Sequence, residues 1–278
     1  VSVKAIREAL AARFGDAPAV PKDIAGADLL CRIAQRGSCR SFQDRAVAPD
    51  LMDTLCALAL SSPSKSDLQQ RDIVQIRDPA LLAQVQGFLA PQPWTGAVPH
   101  LLIFCGNNRR QRQLHGWRGH AFANDHLDAF FNATADAAIA LATFVTAAEA
   151  AGLGCCPIST VRNHAEDISA LIGLPDHVFP LAGVAVGYPA ADTPAISMRL
   201  PLRTTVHIDR FDDTQIQQDV ADYDARRLAR APYAQQRNPE RFGPSERYTW
   251  SEEKARQYAL PERTGFGAFI RRIGFRLD

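Results

Sequence analysis

The apolar positions change their period several times along the chain, and each change marks an element. Ile6, Leu10 and Phe14 recur every fourth residue, which predicts a helix over the opening segment to about Phe14. Pro18 and Pro21 separate it from a second helix, Asp23 to Gln35, stopped by Gly37. A third begins at Pro49-Asp50, where proline in the first turn and an early acid are favoured, and carries Leu51, Leu55, Leu58 and Leu60. Asp72 to Arg77 alternates like a half-buried strand, and Pro79 to Leu89 reads as a helix. The continuous apolar run Leu101-Leu102-Ile103-Phe104-Cys105 is the mark of a central strand. The longest helical signal, Asn124 to Ala151, is rich in alanine and ends at Gly152 and Gly154. A short strand at Cys155 to Ile158, a helix at Glu166 to Ile172 and a strand at Leu181 to Val186 follow. Strands interleaved with helices argue for a layered α/β or α+β domain.

The pattern weakens at about Ala190. Beyond it arginines crowd in (Arg226, Arg227, Arg230, Arg237, Arg241, Arg247 and others), with acids and large rings scattered among them. Such a stretch is expected to form no core of its own but to pack along the body or over a second subunit. The expected division is an N-terminal extension over residues 1–22, a body over 23–190 and an arginine-rich arm over 191–278.

Composition narrows the function classes. The 278 residues are 46% hydrophobic and 22% charged, ordinary values for a globular protein. A formal net charge of +1 gives no field to draw nucleic acid or an anionic membrane. No unbroken apolar run reaches the roughly 18 residues of a membrane span, and Val1 to Ile6 lacks the layout of a secretion signal. The six cysteines form no C-x-x-C and show no zinc spacing, so no metal is expected. Cys155-Cys156 is open to a redox reading, but nothing nearby would stabilise a thiolate, and burial as small hydrophobes fits better. A reducing, cytoplasmic compartment follows.

Three segments offer chemistry. Arg36-Gly37-Ser38-Cys39-Arg40-Ser41-Phe42 presents forked donors and a hydroxyl suited to a phosphate or a flat polar ring, or is a solvated basic turn. Ser61 to Gln69 is a loop between a helix and a strand, a ligand contact or a plain polar connection. Gly152-Leu153-Gly154 turns a helix into the strand Cys155-Cys156-Pro157-Ile158 with Ser159-Thr160; a helix C-cap explains the glycines, and the strand is free to touch a ligand besides. A dinucleotide fingerprint, a nucleophile elbow, a P-loop and paired metal-binding histidines are all missing.

In order, these segments resemble the FMN-dependent nitroreductase and flavin reductase superfamily. The resemblance rests on Arg36-x-Ser38-x-Arg40-x-Phe42, Pro63-Ser64 with Gln69, the long helix into Gly152-Leu153-Gly154, Leu174-Pro175, and Pro180 to Pro189. It covers roughly Asp23 to Pro201. The tail with Tyr248-Thr249-Trp250 looks like the C-terminal arm of the larger NADPH-preferring group. The resemblance implies a three-layer α+β fold, a mixed and mainly antiparallel sheet between helices, and an interlocked homodimer with FMN at the subunit interface. By the same resemblance Arg36, Gly37 and Ser38 would meet the FMN phosphate with Arg199, and Arg40 would approach the N1/O2 edge of the ring. Ser64, Lys65, Ser66 and Gln69 would come from the partner subunit, and Pro157, Ile158, Ser159 and Thr160 would line the N5 edge. Arg237 and Arg241 are candidates for the extra phosphate of NADPH, with NADH as the alternative donor.

That assignment implies a definite chemistry. The flavin carries the hydride, so no protein acid, base or nucleophile is required. A cation at N1/O2 favours the anionic reduced ring. Nitroaromatics, quinones or free flavin would take turns with the nicotinamide over one ring face, giving ping-pong kinetics. Three departures bear on this. Asp67 stands where many relatives have asparagine, Ser159 and Thr160 where the larger group often has glycine, and Ser197 where a lysine is common. Two rival readings remain. One is a specialised flavoenzyme of the same fold, such as a dehalogenase, a flavin-fragmenting enzyme or a dehydrogenase. The other is a flavin-binding sensor without nicotinamide turnover.

Overall fold

The four strands fall where the apolar runs place them in the computed structural model, which describes residues 2–190 and 195–278. They are β1 (Arg71–Ile76), β2 (His100–Asn107), β3 (Gly154–Ile158) and β4 (Val178–Gly187). Before and between them lie α1 (Val3–Phe14), α2 (Ala27–Gln35), α3 (Pro49–Leu60), α4 (Pro79–Leu89), α5 (Arg109–Arg118), α6 (Leu127–Ala150) and α7 (Ala165–Leu171). After β4 come α8 (Ile216–Arg230), α9 (Pro239–Phe242), α10 (Trp250–Tyr258) and α11 (Phe266–Arg272). Two compact units result: Val1–Gly37 with Ala195–Glu262, and Ser38–Pro194 with Arg263–Asp278.

In the second unit the strands form one sheet in the order β1-β2-β4-β3, antiparallel at every pairing. The expected mixed character is therefore not seen among the described residues. Alternation along the strands sends side chains to two faces. Leu102, Phe104, Cys155, Val184 and Val186 join Leu55 and Phe144 beneath α3 and α6. Leu101, Ile103, Cys105, Cys156 and Ala185 join Val85, Leu89 and Ile168 beneath α4 and α7. The result is three layers with an apolar core on each side of the sheet. Each fully buried Leu, Val, Ile or Phe side chain contributes roughly 1.5–3 kcal/mol.

Cys155 and Cys156 thus point to opposite faces, and all six cysteines are buried. Burial raises the Cys39 and Cys105 thiols, and pushes Cys56 up to about 11, so these behave as small hydrophobes. Helix α6, with 24 residues, is apolar and long enough by composition to cross a membrane, a property hidden in a reading by unbroken apolar runs. Ala133, Ala137, Ala140, Phe144 and Ala148 are nonetheless fully sealed along its inner face, so it serves as a core helix.

Three elements differ from the sequence pattern. Helix α2 starts at Ala27, not Asp23, because Gly26 takes a left-handed conformation (φ 70°) just before it. Helix α5 is polar nearly all round, with Gln111 its one buried residue, so no apolar stripe announces it. The segment expected to be a coreless arm contributes instead to both units. Its part up to Glu262 gathers with Val1–Gly37, and its last sixteen residues pack Phe269, Ile270 and Phe275 around Phe130 and Phe179.

The first unit holds a small apolar cluster, Ile6 and Ala9 of α1 against Cys31 and Ala34 of α2, and adds buried polar pairs in its later part. Asp219 receives Arg203 Nε at 2.8 Å and Thr204 Oγ1 at 2.9 Å. Asp224 caps α10 by accepting Ser251 N at 3.0 Å together with the Ser251 hydroxyl. Arg256, 4% exposed, donates to Glu252 Oε1 at 2.6 Å and faces the Tyr248 ring at 5.2 Å. Satisfied pairs of this kind can be buried where lone charges cannot.

Candidate functional site

Within the first unit, Arg36 and Arg199 line one open cavity of about 590 Å3, with Phe14, Ile33, Met198, Tyr223 and Trp250 as its apolar walls. Arg13 builds it. This residue is 7% exposed, and its guanidinium donates to Ser197 O (2.8 Å), Ala34 O (3.0 Å) and Arg36 O (2.6 Å). Its carbonyl in turn accepts Arg199 N at 2.7 Å. One buried arginine thereby ties the end of α2 to the 197–199 segment and sets two further arginines at a common opening. Tyr223 OH reaches Met198 O at 3.2 Å and Arg226 Nη2 reaches Arg199 O at 2.5 Å, which fixes the backbone on the other side.

Within the second unit, residues 39–43 run beside the ends of β3 and β4. Cys39 N donates to Cys155 O at 2.9 Å, Gln43 N to Tyr188 O at 2.9 Å, and Ala190 N to Ser41 O at 3.0 Å. Gly154 makes this approach possible, since a Cβ there would stand 2.6 Å from the Cys39 side chain. Arg40 is exposed, and its guanidinium lies over the Trp94 ring at 5.8 Å. Pro157 and Ile158 end β3, and Ser159 and Thr160 open the 3-10 turn after it. The Thr160 hydroxyl accepts the side-chain amide of Gln92.

The Ser64–Gln69 loop, also in this unit, is held in an unusual shape. Ser66, Asp67 and Gln69 all have positive φ (50°, 57° and 53°), a region that L residues occupy only when their surroundings enforce it. Asp136, fully buried on α6, does the enforcing. Its carboxylate accepts Lys65 N at 2.9 Å and Gln70 N at 2.8 Å, one bond at each end of the loop. Ser64 Oγ closes the turn by accepting Gln69 N at 3.1 Å, and Arg110 Nη1 supports Gln69 O at 2.5 Å. The side chains of Lys65, Ser66, Asp67 and Gln69 are left exposed.

The two arginines read as nicotinamide-phosphate contacts part company. Arg237 donates twice to Glu253 Oε1, at 3.0 and 2.7 Å, while Glu253 also accepts the Tyr248 hydroxyl. Its guanidinium is committed to that buried acid. Arg241 is exposed beside the Phe242 ring at 5.6 Å.

Comparison with known proteins decides the family. Residues 33–188 match the model of the nitroreductase family and residues 197–278 that of its C-terminal domain. The chain belongs to the nitroreductase family. Among curated members it is 30% identical to "FMN reductase [NAD(P)H]" of Bacillus subtilis over 188 residues, which is 66% of this chain and 74% of that one. It is 32% identical to "Oxygen-insensitive NADPH nitroreductase" of Salmonella typhimurium over 184 residues, 66% of this chain and 73% of that one. The solved structure of the hypothetical oxidoreductase YcnD from Bacillus subtilis matches with a TM-score of 0.81 and 26% identity, over 90% of this chain and 99% of that one.

The motifs name Arg36, Arg40, Ser64 and Gln69 as expected contacts, but not Arg13 and Asp136, which hold the backbone at Arg36 and around the Ser64–Gln69 loop. Arg13 gave no sign, being one arginine on a weakly amphipathic helix. Asp136 did leave one: it is a single acid inside Ala133-Thr134-Ala135-Asp136-Ala137-Ala138, where a charge has no place unless a partner awaits it. Gln92, beside Thr160 in a proline-flanked connection, was not separable from ordinary loop polarity.

Proposed function

We propose that the protein is an FMN-dependent NAD(P)H oxidoreductase of small electron-poor molecules, such as nitroaromatics, quinones or free flavin, working as a homodimer in the cytoplasm. The observation that carries this reading is the presence of Arg36 and Arg199 on one cavity. Two guanidinium forks are a fitting donor set for a phosphate dianion. The names of the curated relatives support the same cofactor pair.

When bound, FMN supplies the hydride-transfer chemistry. The residues of the first unit assigned to its phosphate are Arg36, with Gly37, and Arg199. In the second unit Arg40 is assigned to the N1/O2 edge, where its positive charge favours negative charge on the ring. Pro157, Ile158, Ser159 and Thr160 are assigned to the N5 edge, and Ser38 to the phosphate. Ser64, Lys65, Ser66 and Gln69 are assigned to the cofactor of the second subunit. Trp117 (72% exposed) on α5 and Phe131 (64%) on α6 are large apolar surfaces that support such an association. Arg241 is assigned to the additional phosphate of NADPH. The burial of all six cysteines as small apolar side chains supports a reducing compartment.

The visible spectrum of the purified protein, followed by anaerobic NADPH, tests the reading. The expected result is flavin absorbance that bleaches on addition. A flavin that stays yellow overturns the nicotinamide part of the proposal. A colourless protein that FMN does not reconstitute overturns the cofactor assignment.

A further inference from the structure

We propose that a second cavity, in the unit formed by Ser38–Pro194 and Arg263–Asp278, binds a small neutral molecule with an apolar body and a hydrogen-bond-accepting oxygen. It shares no residue with those assigned to FMN or NADPH. Its volume is about 480 Å3, and Val47, Met52 and Leu82 contribute to its walls. That size falls in the range of roughly 300–1,000 Å3 typical of small-molecule sites.

The polar content of the cavity specifies what it takes. Val47 N donates to His100 Nε2 at 3.0 Å. A backbone amide only donates, so Nε2 must present its lone pair, and a neutral ring in that state carries its proton on Nδ1. Burial, which lowers the His100 pKa from its ordinary 6.5, favours the neutral ring as well. Nδ1 has no hydrogen-bond partner among the described residues, yet it is not among the sealed side-chain atoms that lack one. It is therefore an accessible donor on a residue that lines the cavity.

Charge on the ligand is disfavoured for a separate reason. Arg77, the cation on the rim, is held by the Asp53 carboxylate, and its Nε and Nη2 reach Gln75 Oε1 at 3.0 and 2.8 Å. A charged ligand would be desolvated against Val47, Met52 and Leu82, and the nearby cation is already shared with the Asp53 carboxylate. One donor set in an apolar wall fits an aryl ketone or a molecule of like chemistry.

The test uses the FMN-loaded protein and three redox-inert probes in ligand-observed NMR titrations: acetophenone, ethylbenzene, which lacks the acceptor, and benzoate, which adds a charge. Acetophenone is expected to bind about tenfold more tightly than ethylbenzene, the ratio given by one neutral hydrogen bond. Benzoate is expected not to compete, and the flavin spectrum to stay unchanged. Ala46→Trp, at an exposed lining position, should weaken acetophenone binding at least about tenfold by filling the space, with FMN content and thermal midpoint retained. His100→Phe should remove the preference for acetophenone over ethylbenzene. The proposal is overturned by no acetophenone binding up to its solubility limit, by equal affinity for ethylbenzene, or by binding that survives Ala46→Trp. A perturbed flavin spectrum would place the probe at the flavin and overturn it too, as would a change of oligomeric state in Ala46→Trp, which would show that a second copy covers the cavity.

Discussion

The carboxylate of Asp136 lies 3.8 Å from the guanidinium of Arg71, and both side chains are sealed from water, at 0% and 5% exposure. Arg71 Nη2 also donates to Leu60 O at 2.8 Å and Ser62 O at 2.9 Å, while Asp136 holds both ends of the Ser64–Gln69 loop. The pair therefore couples α3, β1, α6 and a loop whose backbone would not adopt its left-handed residues unaided.

Removing one member leaves the other charged and buried. Asp136→Ala is expected to destabilise the fold by roughly 3–5 kcal/mol, the usual penalty for breaking a buried pair. Urea unfolding measures it. The double variant Asp136→Leu with Arg71→Met should recover a substantial part of the loss, since no lone charge remains. The loop amides of Lys65 and Gln70 should lose protection from hydrogen exchange in both variants. A single-variant loss below about 1 kcal/mol would mean that water reaches the site and the pair is not isolated.

Arg36 and Arg199 give a prediction that separates binding from folding. Arg36→Ala and Arg199→Ala should each weaken FMN binding about 10- to 100-fold, the equivalent of one charge-assisted hydrogen bond at about 1.5–3 kcal/mol. Riboflavin, which has no phosphate, should bind the variants and the parent protein alike. Fluorescence titration with both flavins reads the difference. An equal loss for riboflavin would show that the substitution damages the cavity and does not remove a phosphate contact.

How far the sequence discloses this site depends on what kind of residue is asked for. Strands β2 and β4 and helices α3, α4 and α6 were legible because their apolar periods are imposed by the two faces of one sheet. Arg36, Arg40, Ser64 and Gln69 are proposed from the order of their motifs. Arg13 was not legible, because it acts through backbone groups distant in sequence: Arg13 Nη1 and Ser197 O are 184 residues apart. Asp136 left the sign of a lone acid in an alanine-rich run, but nothing in the sequence says that Lys65 N and Gln70 N are its partners. The burial of charged residues in the first unit is hidden in the sequence for a related reason. Asp219, Asp224, Glu253 and Arg256 are buried there, and charged residues in a sequence signal solvent until their partners are known.

Arg241 and Arg237 should respond differently to the same substitution. Arg241→Ala is expected to raise KM for NADPH about 5- to 10-fold, a typical effect of losing one contact to a phosphate of roughly 1–1.4 kcal/mol, and to leave KM for NADH unchanged. Arg237→Ala should instead lower the unfolding midpoint, because Glu253 loses a guanidinium that donates to it twice. Steady-state kinetics with both nucleotides, beside thermal melts, distinguish the two. If Arg237→Ala selectively impairs NADPH with its melting intact, the phosphate contact belongs to Arg237.

Glu253 supplies a test by pH. Burial raises its pKa, but the Tyr248 hydroxyl and the Arg237 guanidinium more than offset that, and the carboxyl sits below its ordinary value of 4.5. A pKa depressed in the folded protein means that the unfolded chain binds the proton more readily. The resulting stabilisation is complete above about pH 4.5 and is lost as the pH falls through the folded value. The parent protein should therefore lose urea resistance progressively below about pH 4.5. Glu253→Gln should start lower at neutral pH, by roughly 1–3 kcal/mol, since a neutral amide is a poorer acceptor for Arg237 and Tyr248. Below about pH 4.5 its curve should fall less steeply, so that the gap between the two proteins narrows on acidification. Other acids contribute to both curves, Asp125 beside Arg112 among them, and cancel in the difference. Parallel curves down to acid unfolding would show that Glu253 is not held as a carboxylate by its two partners.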